Sequence, residues 1–357
     1  MTAETSGAID CDIHPALPGL NALLPYLPDH WRDAVVQRGV HELESIGYPP
    51  NAPITARPDW RGGVGKPGAE LDRVRAEALD AFGTGIAICN CLYGVQLLFS
   101  EDMAAAFARA INDWMAHEWL DREPRLRASI VIPVQNPELA VEEIERRAGD
   151  PRFVQVLMPV MGELPLGRRY YWPIYAAAER HRLPVGIHAG SGYRHPPTPV
   201  GWPSYLTEDY VAQAPAFQQA LTSLIAEGVF TKFADLTVVL LESGFTWVPA
   251  YLWRLTKYWH GLRVEIPWVD RAPAEIVQSS VRFSLQPVDA PPEPEQLARV
   301  IEHMGSDRLL LFSTDYPHWQ FEDGAAIPPG LPPGLEQRIM LDNPRATYPR
   351  LMEKAVR

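Results

Sequence analysis

The chain has 357 residues, of which 46% are hydrophobic, and a formal net charge of −12. This apolar fraction supports a substantial folded core and excludes a disordered chain. The acidic balance argues against nucleic acid and anionic membrane surfaces as partners, because both would be repelled. No apolar run approaches the roughly 20 residues that span a bilayer, and the first residues lack a secretory signal. With only three cysteines, expected to be buried and reduced, we predict a cytoplasmic protein.

The first predicted strand ends in two polar residues. In the stretch IDCDIHP, residues 9–15, Asp12 and His14 share one face of an extended chain, because side chains alternate along a strand. A carboxylate beside an imidazole at a strand end is an arrangement that a divalent metal can use. A polar turn that simply follows a short strand is the alternative interpretation.

Short runs rich in valine, isoleucine and leucine recur along the chain and predict eight strands. These are GAIDCDI, GIAICN, ASIVIPV, FVQVLMP, LPVGIH, LTVVLLE, VRFSLQ and LLLFSTD. Most are continuously apolar, which is typical of a parallel sheet covered on both faces. Helical patterns or long excursions follow each strand, so the sequence predicts a (β/α)8 TIM barrel. An open doubly wound sheet is the alternative, but the first strand lacks the glycine-rich turn that usually binds a nucleotide there.

Two segments interrupt this alternation, residues 15–69 and residues 189–214. Both are rich in proline and glycine and both follow predicted strands, so in a barrel both would lie over the catalytic face. The helix that follows the second insertion is predicted over residues 214–228. We see no independent second domain and expect residues 1–357 to form one barrel.

Ionisable residues follow four of the predicted strands. Because the carboxyl ends of parallel strands meet at one face of a barrel, these side chains are expected to converge. Two carboxylates and two imidazoles can hold a divalent ion while leaving a position open for water or substrate. The residues concerned are Asp12 and His14 after strand one, His188 after strand five, Glu242 after strand six, and Asp315 with His318 after strand eight.

The sequence resembles the amidohydrolase superfamily, and within it the branch related to aminocarboxymuconate-semialdehyde decarboxylase. The matching stretches include IDCDIHP, YWPIYAAAERHRLPVGIHAG, LESGFTWVPAYLWRL and LFSTDYPHWQFED. The resemblance covers most of the chain from residue 8 to about 350. It implies a distorted barrel and a single divalent metal, with zinc expected and manganese or iron(II) as alternatives. The implied ligands are Asp12, His14, His188 and Asp315, with Asp315 also the general base.

The chain departs from the common pattern of that family at two positions that matter for chemistry. Many members carry H-x-H on the first strand, where this chain has Asp12 before His14. Decarboxylases of the branch place a catalytic histidine after strand six, where this chain has Glu242. We expect Glu242 or His318 to assist a leaving group. A structural ion pair of Glu242, for example with Arg254, is the alternative.

Candidate substrate contacts lie beyond strands five and six. Tyr193, Arg194 and His195 follow His188 on the long insertion, where they could meet an anionic or aromatic substrate. A solvated loop is the alternative. Trp202 and Trp247 would give a flat pocket wall, although aromatic packing explains them as well.

These observations favour a mononuclear metal-dependent hydrolase of a small cyclic or aromatic acid, amide or carbonyl compound. In this scheme Asp315 accepts a proton from metal-activated water. The first alternative is a non-oxidative decarboxylase of an aromatic or muconate-like acid, which would release carbon dioxide without incorporating water. The second is a catalytically silent metal-binding barrel. The aromatic helices and proline-rich segments also suggest a homodimer.

Overall fold

The computed structural model describes residues 7–43, 56–61, 65–191, 196, 198–321 and 327–352. Within these ranges eight parallel strands pair in chain order, each with the next. The strands are β1 Ala8–Ile13, β2 Thr84–Cys89, β3 Leu126–Val131, β4 Phe153–Met161, β5 Val185–Ser191, β6 Val238–Leu241, β7 Val281–Ser284 and β8 Leu310–Leu311.

The last strand returns to the first and brings the sheet close to a closed barrel. Backbone hydrogen bonds run from Cys11 N to the Phe312 carbonyl (2.9 Å) and from Asp315 N to the Asp12 carbonyl (3.0 Å). Ile13 and Tyr316 form a further parallel bridge. The predicted barrel of eight strands is therefore confirmed, because β8 neighbours both β7 and β1 as a (β/α)8 barrel requires.

Helices fill the connections between the strands. The α-helices are α1 Asp29–Arg38, α2 Leu71–Val74, α3 Glu101–Trp114, α4 Pro137–Arg147, α5 Trp172–Arg180, α6 Leu206–Ala226, α7 Val229–Lys232, α8 Val248–Leu262, α9 Pro273–Ser280, α10 Pro294–Met304, α11 Leu335–Gln337 and α12 Asn343–Thr347. Three of them continue as π-helical turns, Arg75–Asp80, Met115–Leu120 and Arg338–Asp342. Short 3-10 turns cover Leu20–Tyr26, Pro58–Trp60, Val95–Leu97, Arg169–Tyr171 and Pro349–Met352.

Helix α6 begins earlier than its sequence predicts. The predicted helix over 214–228 would place Pro215 in its first turn, a position that proline favours. In the structure the helix begins at Leu206 and Pro215 lies inside it. The carboxylate of Glu208 accepts hydrogen bonds from the backbone amides of Ser204 (2.8 Å) and Tyr205 (2.9 Å), and these bonds fix the earlier start. Part of the second insertion is therefore helical.

The core consists of two layers of buried side chains. The larger layer packs the strands against the surrounding helices. The smaller one includes Ile9, Ile88, Val239, Tyr348 and Leu351. The alternation of side chains along the strands assigns this second group to the inside of the barrel. No helix within the described residues is both long and apolar enough to cross a membrane.

Both insertions contact the carboxyl-terminal face of the barrel. From the first insertion, Ala56 pairs with His318 and the Arg57 amide donates to the Pro317 carbonyl (2.9 Å). From the second, Gln213 on α6 accepts a hydrogen bond from the Gly190 amide at the end of β5 (3.0 Å). The described parts of these segments thus surround the mouth where the ionisable residues meet.

Candidate metal centre

Asp12 and His14 lie at the carboxyl end of β1, where the strand pairs irregularly with β2. The pairing shifts register between Asp10 and Ile13, which allows Asp12 and His14 to face the barrel centre together. Asp12 is fully buried and His14 is nearly so. Asp10 instead anchors backbone, because its carboxylate accepts hydrogen bonds from the Thr314 hydroxyl (2.6 Å) and from the amides of Thr314 and Asp12 (3.1 Å each).

The two buried histidines face the centre through the same ring nitrogen. His14 Nδ1 donates to the Asn90 carbonyl (3.0 Å), and His188 Nδ1 donates to the Ala189 carbonyl (2.8 Å). A carbonyl can only accept, so in both neutral rings the proton lies on Nδ1 and Nε2 keeps its lone pair. This tautomer is the one in which Nε2 can bind a metal ion.

Glu242 and Asp315 complete the cluster from β6 and β8. His14 Nε2 lies 2.9 Å from Asp315 Oδ1 and 3.4 Å from Glu242 Oε1, and His188 Nε2 lies 3.4 Å from Glu242 Oε1. Both acidic residues have left-handed backbone angles, with φ of 55° at Glu242 and 56° at Asp315. Such angles cost energy in residues other than glycine and are concentrated at functional sites.

These side chains form two overlapping groups that could hold one ion. In each group the candidate ligand atoms lie within 4.8 Å of one another. The first group is Asp12, His14, His188 and Glu242, and the second is His14, Glu242, Asp315 and His318. The structure thus contains a metal-binding site, and it brings together all six ionisable residues that the sequence singled out.

Unpaired polar atoms show that a cation fits this site. Within the described residues, Asp12 Oδ2, His14 Nε2, His188 Nε2 and Asp315 Oδ2 are buried and lack a hydrogen-bond partner. Such atoms are costly to bury without a partner, and two carboxylate oxygens with two imidazole nitrogens are what a divalent ion binds. They belong to the four residues that the family resemblance implied as ligands.

The charges of the cluster shift the pKa values of its members. Burial raises the pKa of Asp315 to about 6, and the charge of Glu242 adds to this effect. Burial alone would lower the pKa of His318, but the Asp315 carboxylate outweighs it and raises that pKa to about 9. Burial would raise the pKa of Glu242, but His188, His14 and His318 hold it well below its ordinary value.

His318 connects the two acidic residues at the edge of the cluster. Its Nδ1 lies 2.7 Å from Asp315 Oδ1 and 3.0 Å from Glu242 Oε1, and its ring stacks on His14 with centroids 4.5 Å apart. Its side chain is 23% exposed, more than any of the other five. The suggested ion pair of Glu242 with Arg254 is not formed in the structure. The Arg254 guanidinium instead lies over the Tyr258 ring.

Five residues were predicted to contact the substrate, and the structure describes two of them. Tyr193, Arg194 and His195 fall outside the described residues. Trp202 is described and is 61% exposed. Trp247 packs edge-on against Tyr251 and Phe283 with centroids 5.4 and 5.8 Å away, and its indole donates to the Ser243 carbonyl. These contacts fit aromatic packing at the start of α8.

A cavity of about 410 Å³ lies at the carboxyl ends of β3 and β4. Its β4 residue Pro159 is the backbone partner of His188 on β5, so the cavity begins beside the strand that carries a candidate ligand. Most of its lining is apolar or aromatic and includes Val134, Pro159, Met161, Leu164, Tyr170 and Tyr171. No pattern in the sequence pointed to this cavity.

Asn90 is a site residue that the sequence interpretation missed. It directly follows β2, is fully buried, and contacts both Asp12 and His14. The other site residues were found as polar side chains at the carboxyl ends of predicted strands, and Asn90, the last residue of GIAICN, has the same position. The sequence interpretation considered only ionisable residues there and therefore did not include Asn90.

Comparison with known proteins places the chain in a family. The model of the family described as Amidohydrolase matches residues 9–350, and the chain belongs to that family. It is 27% identical over 244 residues to gamma-resorcylate decarboxylase of Rhodococcus jostii, covering 62% of this chain and 70% of the relative. The superfamily resemblance noted in the sequence is confirmed.

Two solved structures illustrate the shared fold. The first is a dihydroxybenzoic acid decarboxylase from a Polaromonas species with bound manganese and 2-nitroresorcinol. It has a TM-score of 0.68 at 20% identity, over 97% of this chain and 99% of that one. The second is a 5-carboxyvanillate decarboxylase from Novosphingobium aromaticivorans, also with manganese. Its TM-score is 0.66 at 16% identity, over 98% and 99%.

These comparisons correct the predicted function. The sequence favoured a hydrolase, but the curated relatives are decarboxylases. The hydrolase prediction is therefore wrong, and the decarboxylase alternative has the better support. The error has a chemical cause, because one ion beside an aspartate can serve either to activate water or to bind a carboxylate. A ligand set alone does not distinguish hydrolysis from decarboxylation.

The chain is an enzyme of the amidohydrolase superfamily.

Proposed function

We propose that this protein is a metal-dependent, non-oxidative decarboxylase of a hydroxylated aromatic acid. The observation that carries the proposal is the similarity to gamma-resorcylate decarboxylases across most of the chain, joined to a buried site with metal-ligand geometry. In the reaction, the bond between the ring carbon and the carboxylate breaks, carbon dioxide leaves, and a proton takes its place on the ring carbon.

Asp12, His14 and His188, with Glu242 or Asp315, would hold the ion. Held by these residues, a divalent ion would supply the positive charge that offsets a substrate carboxylate. Manganese is favoured over the zinc that the sequence suggested. Two related structures contain manganese, and a site with several carboxylates suits a harder ion.

The pair formed by His318 and Asp315 can supply the proton. His318 Nδ1 lies 2.7 Å from Asp315 Oδ1, so a protonated His318 can hand its proton to this carboxylate. When Glu242 completes the ligand set with Asp12, His14 and His188, the buried Asp315 Oδ2 is left to pass a proton to the substrate ring carbon, since it has no hydrogen-bond partner in the described part of the chain. The partial exposure of His318 provides a route for a proton to return from solvent.

An aromatic substrate also agrees with the cavity at the carboxyl ends of β3 and β4, whose residue Pro159 pairs with His188. This cavity presents proline, methionine and tyrosine side chains, which suit a flat apolar ring. A small acid would thus place its carboxylate at the cation and its ring against these side chains.

The test uses metal-depleted protein reloaded with Mn²⁺ or Zn²⁺ and a panel of hydroxylated benzoic acids that includes 2,6-dihydroxybenzoate and 5-carboxyvanillate. We expect release of carbon dioxide and one deuterium on the vacated ring carbon when the reaction runs in D₂O. No oxygen from labelled water should enter the organic product. Protein carrying stoichiometric Mn²⁺ that releases no carbon dioxide from any of these acids would contradict the proposal. The Asp315→Asn variant is the inactive control.

A further inference from the structure

Asn90 contacts both β1 residues of the metal centre. Its side-chain Nδ2 donates to Asp12 Oδ1 over 2.7 Å, and its backbone carbonyl accepts the Nδ1 proton of His14 over 3.0 Å. Its backbone amide also donates to the Ile13 carbonyl between them (2.8 Å). One buried residue at the end of β2 thus holds the position of two candidate ligands on the neighbouring strand.

The orientation of the Asn90 amide is fixed by the strands on its other side. Its Oδ1 accepts hydrogen bonds from the Ser129 hydroxyl on β3 (2.6 Å) and from Gln155 Nε2 on β4 (3.2 Å). The Gln155 Nε2 also donates to the Ser129 oxygen (2.8 Å), and its Oε1 accepts from the Tyr348 hydroxyl (3.0 Å). With its oxygen occupied in this way, the Asn90 amide must present its N–H group to Asp12.

The backbone of β5 leaves space for this network. A Cβ atom added to Gly186 would lie 2.5 Å from the end of the Gln155 side chain, so any other residue there would displace Gln155 from its present position. The polar side chains of β2, β3 and β4 therefore form one connected layer across the barrel below the metal ligands, with Asn90, Ser129 and Gln155 all buried. Fully satisfied networks of this kind hold their members in one arrangement.

We propose that Asn90 is a positioning residue of the metal centre, which fixes the Asp12 carboxylate so that Oδ2 faces the ion. Asp12 Oδ1 is engaged by the Asn90 amide, whereas Oδ2 has no partner among the residues that the structure describes. The amide thereby selects the oxygen and limits rotation of the carboxylate. This inference rests on the metal site of the proposed function but not on the reaction that the site performs.

The experiment measures the dissociation constant of Mn²⁺ by calorimetry on metal-depleted protein, without substrate. In Asn90→Ala the carbonyl that holds His14 remains, so the variant removes only the amide. We expect Mn²⁺ to bind about 10- to 100-fold more weakly, the usual effect of removing a hydrogen bond to a ligand. A dissociation constant equal to that of the wild type would overturn the inference.

Asn112→Ala is the matched control. Asn112 is similarly buried, and its side chain makes three hydrogen bonds, to the Val131 backbone and to Glu143, away from the site. Both variants should lose thermal stability, but Asn112→Ala should bind Mn²⁺ as the wild type does. Equal weakening of Mn²⁺ binding in both variants would mean that general destabilisation is the cause, and it would count against a positioning role.

Ser129→Ala keeps the test decisive if Asn90→Ala does not fold. This small substitution removes the 2.6 Å hydrogen bond that orients the amide and leaves the amide itself in place. We expect a severalfold weaker Mn²⁺ complex, and unchanged binding would overturn the inference. If the variants bind Mn²⁺ more weakly but the wild type decarboxylates no substrate, only the proposed function is refuted. If the wild type is active and the variants bind Mn²⁺ as tightly as it does, only this inference is refuted.

Discussion

Six ionisable side chains meet at the barrel mouth, but their surroundings divide them into two kinds. The Nε2 atoms of His14 and His188 are buried and have no hydrogen-bond partner within the described residues, whereas the Nδ1 atom of His318 already bonds to Asp315 and Glu242. In His14 and His188 the Nδ1 proton goes to a backbone carbonyl and Nε2 faces the cluster, whereas in His318 Nδ1 itself faces the carboxylates. We therefore propose that His188 binds the ion and that His318 transfers the proton.

This division predicts different outcomes for two histidine variants. His188→Ala should lose its metal ion, because it removes one of four ligands. His318→Ala should keep one ion per chain but release carbon dioxide about 10²- to 10⁴-fold more slowly, the usual contribution of a general acid or base. Elemental analysis beside a kcat measurement checks both. An ion lost from His318→Ala would instead favour the second group of ligands, which includes Asp315 and His318.

The sequence located the ionisable residues of the site because parallel strands deliver their ends to one face. It could not assign their roles, since the roles depend on which atom of each side chain is already bonded. Glu242 shows the difficulty. Its place after β6 was evident, but its contacts with His188 and His318 arise from packing across the barrel mouth. The left-handed backbone at Glu242 and Asp315 also left no sign in the sequence.

At the scale of elements, continuous apolar runs predicted the strands well, but hydrogen bonds between distant segments of the chain decided where they end. The run LLLFSTD suggested a strand of seven residues, but β8 holds only Leu310–Leu311. The next amide, Phe312 N, donates to the Ile339 carbonyl (3.0 Å) outside the sheet. Contacts between residues far apart in the chain therefore set such boundaries, and a local pattern does not contain them.

A cluster of ion pairs around the buried Glu123 joins the π-helical turn Arg75–Asp80 to the residues just before β3. Glu123 accepts hydrogen bonds from Arg75 Nε (2.9 Å) and Arg125 Nε (3.0 Å), and its side chain is only 7% exposed. Burial would raise its pKa, but the hydrogen bonds from Arg125 and Arg75 outweigh burial and lower it to about 2. The folded protein thus favours the ionised form more strongly than the unfolded chain does.

This cluster predicts a pH-dependent loss of stability in Glu123→Gln. Because the folded pKa is depressed, the carboxylate stabilises the fold fully above the unfolded value near 4.5 and loses this effect as the pH falls towards 2. We expect a loss of about 1.5–3 kcal/mol in the free energy of unfolding near neutral pH. The gap in Tm between wild type and variant should shrink from about pH 7 to about pH 3.5. A gap that stays constant over this range would contradict the assignment.

At the scale of the whole molecule, the segment after β8 closes the barrel at the end opposite the metal centre. Tyr348 and Leu351 are buried among residues from the amino ends of several strands. Arg350 donates to the carbonyls of Ala148 (2.7 Å) and Asp150 (3.1 Å), just before β4. Ile9 of β1 belongs to the same buried group as Tyr348 and Leu351.

The homodimer, the cytoplasmic location and the lack of nucleic-acid and membrane partners stay predictions.

Tyr348 should therefore be among the more costly side chains to truncate. Tyr348→Ala removes an aromatic ring from the barrel interior, and we expect a loss of about 3–5 kcal/mol in the free energy of unfolding. Tyr348→Phe keeps the ring but leaves Gln155 Oε1 without the hydroxyl that now lies 3.0 Å away, at a cost of about 1–3 kcal/mol. Tyr258→Ala, on the exposed side of α8, is the control and should change stability by no more than about 0.5 kcal/mol. Urea unfolding of the three variants ranks them, and a Tyr348→Ala midpoint close to that of Tyr258→Ala would show that this segment does not close the barrel.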